Sequence, residues 1–488
     1  MNNALRSPFF ASSVRAAPGH VTLAGALMGA VVSLAGCGDD AAPPADGATT
    51  GAQSSGQTGD ETGHDTETDG VGETGTASAK TFWEDVAPIY FDSCVTCHRE
   101  GGIGPFALDN YADAVTWAAA TQLAITERTM PPWLAQSDGE CGDFVDSRAL
   151  SDEAVDTITE WIESEQMQGD PRDDLQVPQS GTLEGATDYV TPNFEPEIVG
   201  GPLAEFDEYR CFLIEPGLAS GGFLTGYDVI PGNDAILHHV LGFILEPDET
   251  NGNGVTNLDR LAALDAESPD RAGWPCFEGA GEETEDESLP IAWAPGQGAV
   301  EFPHGTGVPV NEGDMVVVQV HYNLADPANI GSSDETQVRI RFEDEVDNPT
   351  DMFLPDLFLE TLFEDAPAIL PMGEASVEYT WEIPVAYLLG DSGLDSLTLY
   401  GVLPHMHEFG QRIRLDVVSS DAQTCAVNVP AWDFNWQLIY FYEEPITLTA
   451  DQTLSVTCDY NTLNAEGPVT PGWGTQNEMC LMGMVLGG

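Results

Sequence analysis

The pattern of apolar and polar positions divides the chain into distinct regimes. Val21 to Leu34 is an uncharged apolar run behind Arg6 and Arg15, and residues 38–80 then carry almost no large apolar side chain. From Phe82 to about Gly169 apolar positions recur at helical spacing. Tyr111, Ala114, Ala118 and Leu123 form a loose stripe. After Ser151, placed as an N-cap, Val155, Ile158, Trp161 and Ile162 fall on one helix face. Residues 170–203 are rich in Pro, Gly, Asp and Thr and read as a linker. Beyond them the period becomes two. Ala235–Leu245, Asp314–Leu324, Ser396–Leu403, Arg412–Val418 and Leu454–Tyr460 are short β-branched runs punctuated by Gly, Pro, Asn and Asp. That pattern predicts antiparallel β-sandwiches, and the length calls for two. The predicted fold is multidomain: a small all-α domain at 81–169, then jelly-roll-like β-sandwiches at 204–348 and 349–488, divided in the acidic stretch from Glu343 to Pro355.

Charge narrows the function classes. Acidic residues number 82 against 14 basic ones, Lys80 is the single lysine, and the formal net charge is -68. Such a surface repels phosphate, which excludes nucleic acid as a partner and rules out a polybasic membrane patch. Apolar residues still make up 42% of the chain, enough for ordinary cores, so the acid must sit on surfaces and in linkers. This balance suits a protein working in salty water.

The N-terminal pattern has the n-region and h-region of a secretory signal, and its apolar run is short for a membrane span. It ends in Leu34-Ala35-Gly36-Cys37, which resembles the lipobox of bacterial lipoproteins. That resemblance implies a signal peptide over 1–36, a lipid on Cys37 and a tether to the cell envelope, at the outer membrane on its periplasmic or surface face. The membrane would then be a partner through the lipid alone. Residues 37–80 would form a flexible stalk with a reach of roughly 35 Å. In an oxidising compartment most of the remaining cysteines are expected to pair.

Cys94-Val95-Thr96-Cys97-His98 fits C-x-x-C-H, the attachment motif of c-type haem. Cys94 and Cys97 would hold the haem covalently and His98 would bind its iron. Met130, in Met130-Pro131-Pro132, is the candidate second axial ligand, and Met/His ligation suits electron transfer. A thioredoxin-type pair needs a βαβ setting that is absent from the pattern. A structural zinc site needs a second Cys/His pair, where only Cys141 is available. With Gly101-Gly102-Ile103-Gly104-Pro105-Phe106, the segment resembles bacterial cytochrome c-like domains.

Six histidines fall in the β region, five of them inside apolar strand patterns. His405 and His407 flank Met406 at i and i+2, so on a strand both rings point to one face. His238 and His239 are adjacent and would need a bulge or a strand end to reach one ion. His321 sits in the valine run from Val316. Taken singly, each is more often a satisfied core histidine, but together they point to metal.

The motifs Leu237-His238-His239-Val240-Leu241-Gly242-Phe243, Val318-Gln319-Val320-His321-Tyr322, His405-Met406-His407-Glu408-Phe409-Gly410 and Glu478-Met479-Cys480 resemble, in order, those of the copper type II, ascorbate-dependent monooxygenases. This is the group of peptidylglycine alpha-hydroxylating and dopamine beta-monooxygenases. The resemblance implies two coppers: an electron-transfer site at His238, His239 and His321, and a catalytic site at His405, His407 and Met479. It also implies disulfides Cys211–Cys276 and Cys458–Cys480. His304, Cys141 and Cys425 match nothing in it, and a bond between those two cysteines stays open.

The expected activity is hydroxylation of a C–H bond in a small organic substrate by dioxygen and two single electrons. These come from a reductant or an electron-donor protein, with the haem refilling the coppers. At the family's carboxylate- and peptide-holding positions stand Leu403, Leu481 and Gly483, which implies a neutral or cationic, partly apolar substrate. A non-catalytic electron-transfer or copper-binding lipoprotein is the second reading. A β-sandwich ligand-binding module with ordinary core histidines is the third.

Overall fold

The computed structural model describes residues 79–488, apart from 101–103, 137–138, 177–182, 199–206, 277–278, 286–287, 296, 325, 355–369, 391, 435 and 473–476. The signal segment, Cys37, the stalk to residue 78 and Gly101-Gly102-Ile103 lie outside the described residues.

The first folded stretch is helical. A π-helical turn at Phe82–Val86 leads into α1 (Ala87–Ser93), followed by α2 (Tyr111–Thr116), α3 (Ala118–Thr126) and α4 (Asp152–Glu163). The Ser151 hydroxyl accepts from the Ala154 amide, and Asp152 and Glu153 occupy the positive first turn of α4. That helix buries Ile158, Trp161 and Ile162 against Phe82, Val86 and Tyr90. The ends of the stretch are tied, since the Phe82 amide donates to the Met167 carbonyl at 2.8 Å and Trp83 to Gln168 at 3.1 Å. The predicted stripe through Leu123 fails, and Leu123 is exposed. Trp117 parts α2 from α3 with φ -100° and ψ 8°, yet the buried face continues through Ala114, Ala118, Thr121 and Ile125, and Leu123 lies off it.

The remainder is β structure. In chain order come β1 (Thr187–Val190), β2 (Asp207–Ile214), β3 (Gly222–Ile230), β4 (Leu237–Leu245), α5 (Asn257–Ala266), β5 (Trp274–Pro275), β6 (Ser288–Trp293), β7 (Val300–Glu301), β8 (Thr306–Val310), β9 (Met315–Asn323) and β10 (Gln337–Glu343). The second half holds β11 (Asn348–Phe353), β12 (Val377–Pro384), α6 (Val385–Leu389), β13 (Ser396–His405), β14 (Gly410–Val418), β15 (Gln423–Val429), β16 (Tyr440–Thr449), β17 (Thr453–Tyr460) and β18 (Leu481–Gly487).

A five-stranded sheet, β5-β2-β9-β4-β6, and a four-stranded sheet, β12-β17-β14-β15, each cover part of one nine-stranded sheet. The order of the large sheet is β1-β10-β3-β8-β11-β18-β13-β16, with β7 on β3. The halves therefore share a sheet. Their junction is the parallel pair of β8 and β11, Asn348 opposite Thr306 and Pro349 opposite Gly307. The first core accordingly takes in Met352, Leu403, Ile439, Phe441 and Val485 from the second half.

Two stretches depart from the predicted boundaries. The linker range contains β1, paired with β10, and Phe194 lies in the first core. Residues from Trp133 to Val145 leave the helical core for the second sandwich. Trp133 and Phe144 pack on Tyr440, the Val145 amide donates to the Phe441 carbonyl at 2.8 Å, and Cys141 is bonded to Cys425. Aromatic side chains that find no room in the small helical core thus complete a larger one.

Asp351 on β11 accepts from the Ser288 hydroxyl on β6, joining the shared sheet to the five-stranded one. Burial pushes its carboxyl from 3.8 up to about 6, against hydrogen bonds from Ser288 and the Met352 amide. The folded state prefers the neutral acid, so this group's contribution is full at low pH and is lost as pH rises through about 6. Denaturant midpoints of the wild type should therefore fall relative to Asp351→Asn across that interval. A difference that is constant with pH contradicts it.

Candidate metal centres

The first cluster sits where β4 meets β9. Leu237 pairs with Tyr322 and His239 with His321, so the ladder slips by one residue at His238. This bulge lets two adjacent imidazoles turn to the same side. One nitrogen from each of His238, His239 and His321 lies within 4.8 Å of the others. The Nδ1 atoms of His238 and His321 are 3.3 Å apart.

On its far side, His321 Nε2 is 3.1 Å from the buried Asp207 carboxylate, and the Tyr209 ring stacks on the imidazole at 4.1 Å. The carboxylate thus stands against Nε2 without an aligned hydrogen bond, while Nδ1 faces His238, an arrangement that suits an outer support of a metal-binding histidine. His239 Nε2 is buried without a hydrogen-bond partner. Burial, then the neighbouring histidines, hold its pKa well below the ordinary value. An imidazole whose buried nitrogen has no hydrogen-bond partner is suited to a metal ion.

The second cluster is built at the end of β13 and the start of β18, paired through His405 and Leu481. The His405 and His407 rings stand perpendicular, 5.1 Å between centroids. His405 Nδ1 donates to Gln437 Oε1 at 2.6 Å and His407 Nδ1 to the Asn477 carbonyl at 3.1 Å. With the proton on Nδ1, each ring carries its lone pair on Nε2. Burial lowers His405 to about 4, with the Gln437 hydrogen bond opposing.

Met479 is buried beside them, its backbone held from several sides. Tyr460 donates to its carbonyl at 2.9 Å, and the next residue, Cys480, is bonded to Cys458 on β17. The Glu478 carboxylate accepts from the amides of His407, Phe409 and Met479. Burial nonetheless pushes it up to about 8. Glu478 thus locks the histidine loop to the methionine segment. Two imidazoles with a thioether favour a soft ion such as Cu(I).

Phe434 stands between the clusters, its ring centroid 5.3 Å from His238, 5.8 Å from His239 and 5.9 Å from His407. Glu408 is raised by burial first and by Asp207 second, which again places the two clusters within electrostatic reach.

In the helical region Cys94, Cys97 and His98 follow α1 in a turn closed by the Cys97 and His98 amides on the Cys94 carbonyl. His98 Nδ1 donates to the Phe106 carbonyl at 3.0 Å, leaving Nε2 for a metal. A side chain at Gly104 would come within 2.8 Å of that Nδ1, so only glycine permits the approach. Both thiols are free, and burial pushes Cys94 up to about 12 and raises Cys97. Redox-active thiols are lowered, so this pair suits covalent attachment better than thiolate chemistry. An open cavity of about 640 Å³ beside it is lined by Arg99, Gly104, Phe106 and Asn110. Met130 is half-buried after α3, just before the chain crosses to the second sandwich.

Several residues were not singled out in the sequence. Asp207, Tyr209 and Gln437 stand beside the histidines from distant positions with no local signal, whereas Glu478 entered only as part of the Glu478-Met479-Cys480 motif. Phe434 lies in Trp432-Asp433-Phe434-Asn435-Trp436, where three aromatics in a polar loop were a signal. Cys211 is bonded to Cys276. His304 Nε2 donates to the Tyr442 carbonyl at 2.8 Å, a structural tie between the halves. Leu403 faces Gly483 across the β13–β18 ladder, and a side chain at Gly483 would meet Leu354 and Leu403.

Residues 359–485 match the family model of the copper type II ascorbate-dependent monooxygenase C-terminal domain. The chain is similar to DBH-like monooxygenase protein 1 of Gallus gallus, 24% identical over 199 residues, 40% of this chain and 32% of that protein. The Mus musculus protein of the same name is 26% identical over 201 residues, with the same shares. The matched stretch thus spans about a third of these curated relatives. Among solved structures, the infectious bursal disease virus VP2 subviral particle aligns over 64% of this chain and 72% of its own at 11% identity, with a TM-score of 0.12.

The two clusters should load independently. His239→Ala is expected to lose one copper per chain and keep the other. Asp207→Asn should weaken only the first site, by about 10–100-fold. Copper content and Cu(II) EPR after dialysis against a graded chelator check both. Simultaneous loss from both sites in Asp207→Asn contradicts the division.

Proposed function

We propose that this chain is a copper-dependent monooxygenase with a built-in c-type haem region, acting on a C–H bond of a small organic substrate. The observation that carries the reading is that two histidine clusters meet at Phe434: His238, His239 and His321 on β4 and β9, and the perpendicular His405–His407 pair at the end of β13. We assign buried Met479 to the second as its thioether donor. The family match over residues 359–485 supports the second of these. Bound copper would supply dioxygen activation at one cluster and a stored electron at the other, and covalent haem on Cys94 and Cys97 would supply single electrons.

The chain's own residues set the rest. Burial holds His239 and His405 below the ordinary histidine range, and Gln437 and the Asn477 carbonyl hold the orientation of His405 and His407. Beside His407 opens a cavity of about 420 Å³ lined by Trp432, Phe434, Glu408 and Asp433 from the second sandwich and by Arg128 and Leu134 from the helical side. Aromatic faces with carboxylates accept a neutral or cationic, partly apolar molecule. Apolar packing at Leu403, Leu481 and Gly483 offers nothing to a substrate carboxylate, whose unpaired burial costs several kcal/mol.

The setting proposed is an exported protein, lipid-anchored through Cys37 at the cell envelope. Three disulfides fit an oxidising compartment, and no helix among the described residues is long and apolar enough to cross a membrane.

Oxygen uptake by copper-replete protein with ascorbate, across a panel of amines, ethers and peptides, tests the activity. Coupled hydroxylation of a neutral or cationic substrate is expected. Bound copper without substrate-dependent uptake would favour an electron-transfer or copper-holding protein. Met479→Ile should retain haem and the first copper yet lose hydroxylation, and retained turnover contradicts its role. A glycine-extended peptide should be a poor substrate, and efficient turnover of one would overturn the substrate class.

A further inference from the structure

We propose that the helical region completes the substrate site: the segment from Arg128 to Leu134 forms one wall of the cavity beside His407 and selects, by size and charge, the molecule that enters. The inference rests on the monooxygenase reading above and gives the helical side a role in specificity.

The cavity of about 420 Å³ has two walls of different origin. Trp432 and Phe434 come from the chain that follows β15, whereas Arg128, Thr129 and Leu134 come from the chain that leaves α3. The first wall is set by the histidine loop. Trp432 Nε1 donates to the His407 carbonyl at 3.1 Å, and the Trp432 amide donates to the Gln411 carbonyl at 2.8 Å. A side chain at Gly410 would come within 2.7 Å of the Trp432 ring, so glycine there lets the indole lie against the loop. The Phe434 ring that lines the cavity also contacts His238, His239 and His407.

The second wall is fastened on both sides of the cavity. Towards the helices, the Thr129 amide donates to the Ala124 carbonyl at 2.9 Å, and the Arg128 guanidinium donates to the Leu150 carbonyl and the Asp152 carboxylate. Towards the second sandwich, Ala135 lies in its core and the Gln136 amide donates to the Asn428 carbonyl at 2.8 Å. The Asn428 side chain donates back to Gln136 Oε1 at 2.7 Å, and farther along Cys141 is bonded to Cys425. A wall held this way keeps its place before any molecule binds, so it rejects by clash what it cannot fit.

Charge on the two walls is uneven. Arg128 spends its guanidinium on Leu150 and Asp152, while Glu408 and Asp433 bring two carboxylates to the same cavity. That balance favours an ammonium group and disfavours a carboxylate. Leu134, Trp432 and Phe434 offer apolar and aromatic surface to the body of the molecule. The occupant that fits is a compact arene with a cationic end.

The test uses the full chain with copper bound, naphthylmethylammonium as the ligand and naphthoate as its anionic counterpart. Equilibrium dialysis reads binding, and copper content and near-ultraviolet circular dichroism are measured on the same samples. The wild type should hold the ammonium about ten-fold or more tighter than the carboxylate. Thr129→Trp and Leu134→Trp should each weaken the ammonium by about ten-fold or more while both coppers stay bound. Thr129 is exposed, so its variant decides if Leu134→Trp fails to fold. Leu123→Trp, exposed on α3 and outside the cavity lining, should bind like the wild type. Unchanged ammonium binding in Thr129→Trp, or no preference over naphthoate in the wild type, overturns the proposal and leaves the copper reading intact. A wild-type chain that takes up no copper fails the reading itself, and the metal analysis shows this independently of the dialysis.

Discussion

The placement of two histidine clusters against one phenyl ring, Phe434, depends on a single sheet running through both halves of the β region. Had each half closed its own sandwich, the histidines of β4 and β9 and those at the end of β13 would sit on bodies free to move apart. Instead β8 and β11 pair in parallel, and Met352, Leu403, Phe441 and Val485 fill the first core from the second half. Apolar burial of this kind, at roughly 25 cal/mol per Å² removed from water, fixes the relative position of the clusters without any contact between the imidazoles themselves. The helical stretch is drawn into the same body by Phe144 and the Cys141–Cys425 bond.

Within that frame, electrostatics sets the chemistry. A chain with net charge -68 still buries several carboxylates, and two of them, Asp207 and Glu478, lie beside the histidine clusters. Each has partners: Asp207 faces His321 Nε2, and Glu478 collects backbone amides around His407 and Met479. Neither points its charge at the ligand nitrogens directly. Glu478 acts through the backbone of the histidine loop, while Gln437 and the Asn477 carbonyl engage the Nδ1 atoms of His405 and His407. The first cluster is all nitrogen, and the second brings in sulfur, so the two would differ in their preference for the cuprous state.

Much of the chemistry was legible in the chain because it rests on local spacing. The C-x-x-C-H turn, the His405–His407 pair and the Ser151 cap each act within a few residues, and the β-branched runs gave strands such as Met315–Asn323 and Thr453–Tyr460 within a residue or two. What escaped is non-local. The slip that turns His238 and His239 together is a property of the β4–β9 register. Cys141 and Cys425 are 284 positions apart, and no periodicity links them. Leu123 was misplaced because it stands five positions after Ala118, off the face that Thr121 and Ile125 continue. Gln437 and Phe434 sit in a loop, where sequence patterns say least about direction.

The central claim is that one chain holds two copper ions in unlike donor sets, five imidazoles and one thioether between them. Copper K-edge X-ray absorption of the cuprous protein measures this most directly. The account predicts imidazole scattering from both ions, together with a single sulfur shell that disappears when Met479 is replaced by isoleucine. Two spectroscopically identical all-nitrogen sites, or a sulfur shell that survives the loss of Met479, would contradict it.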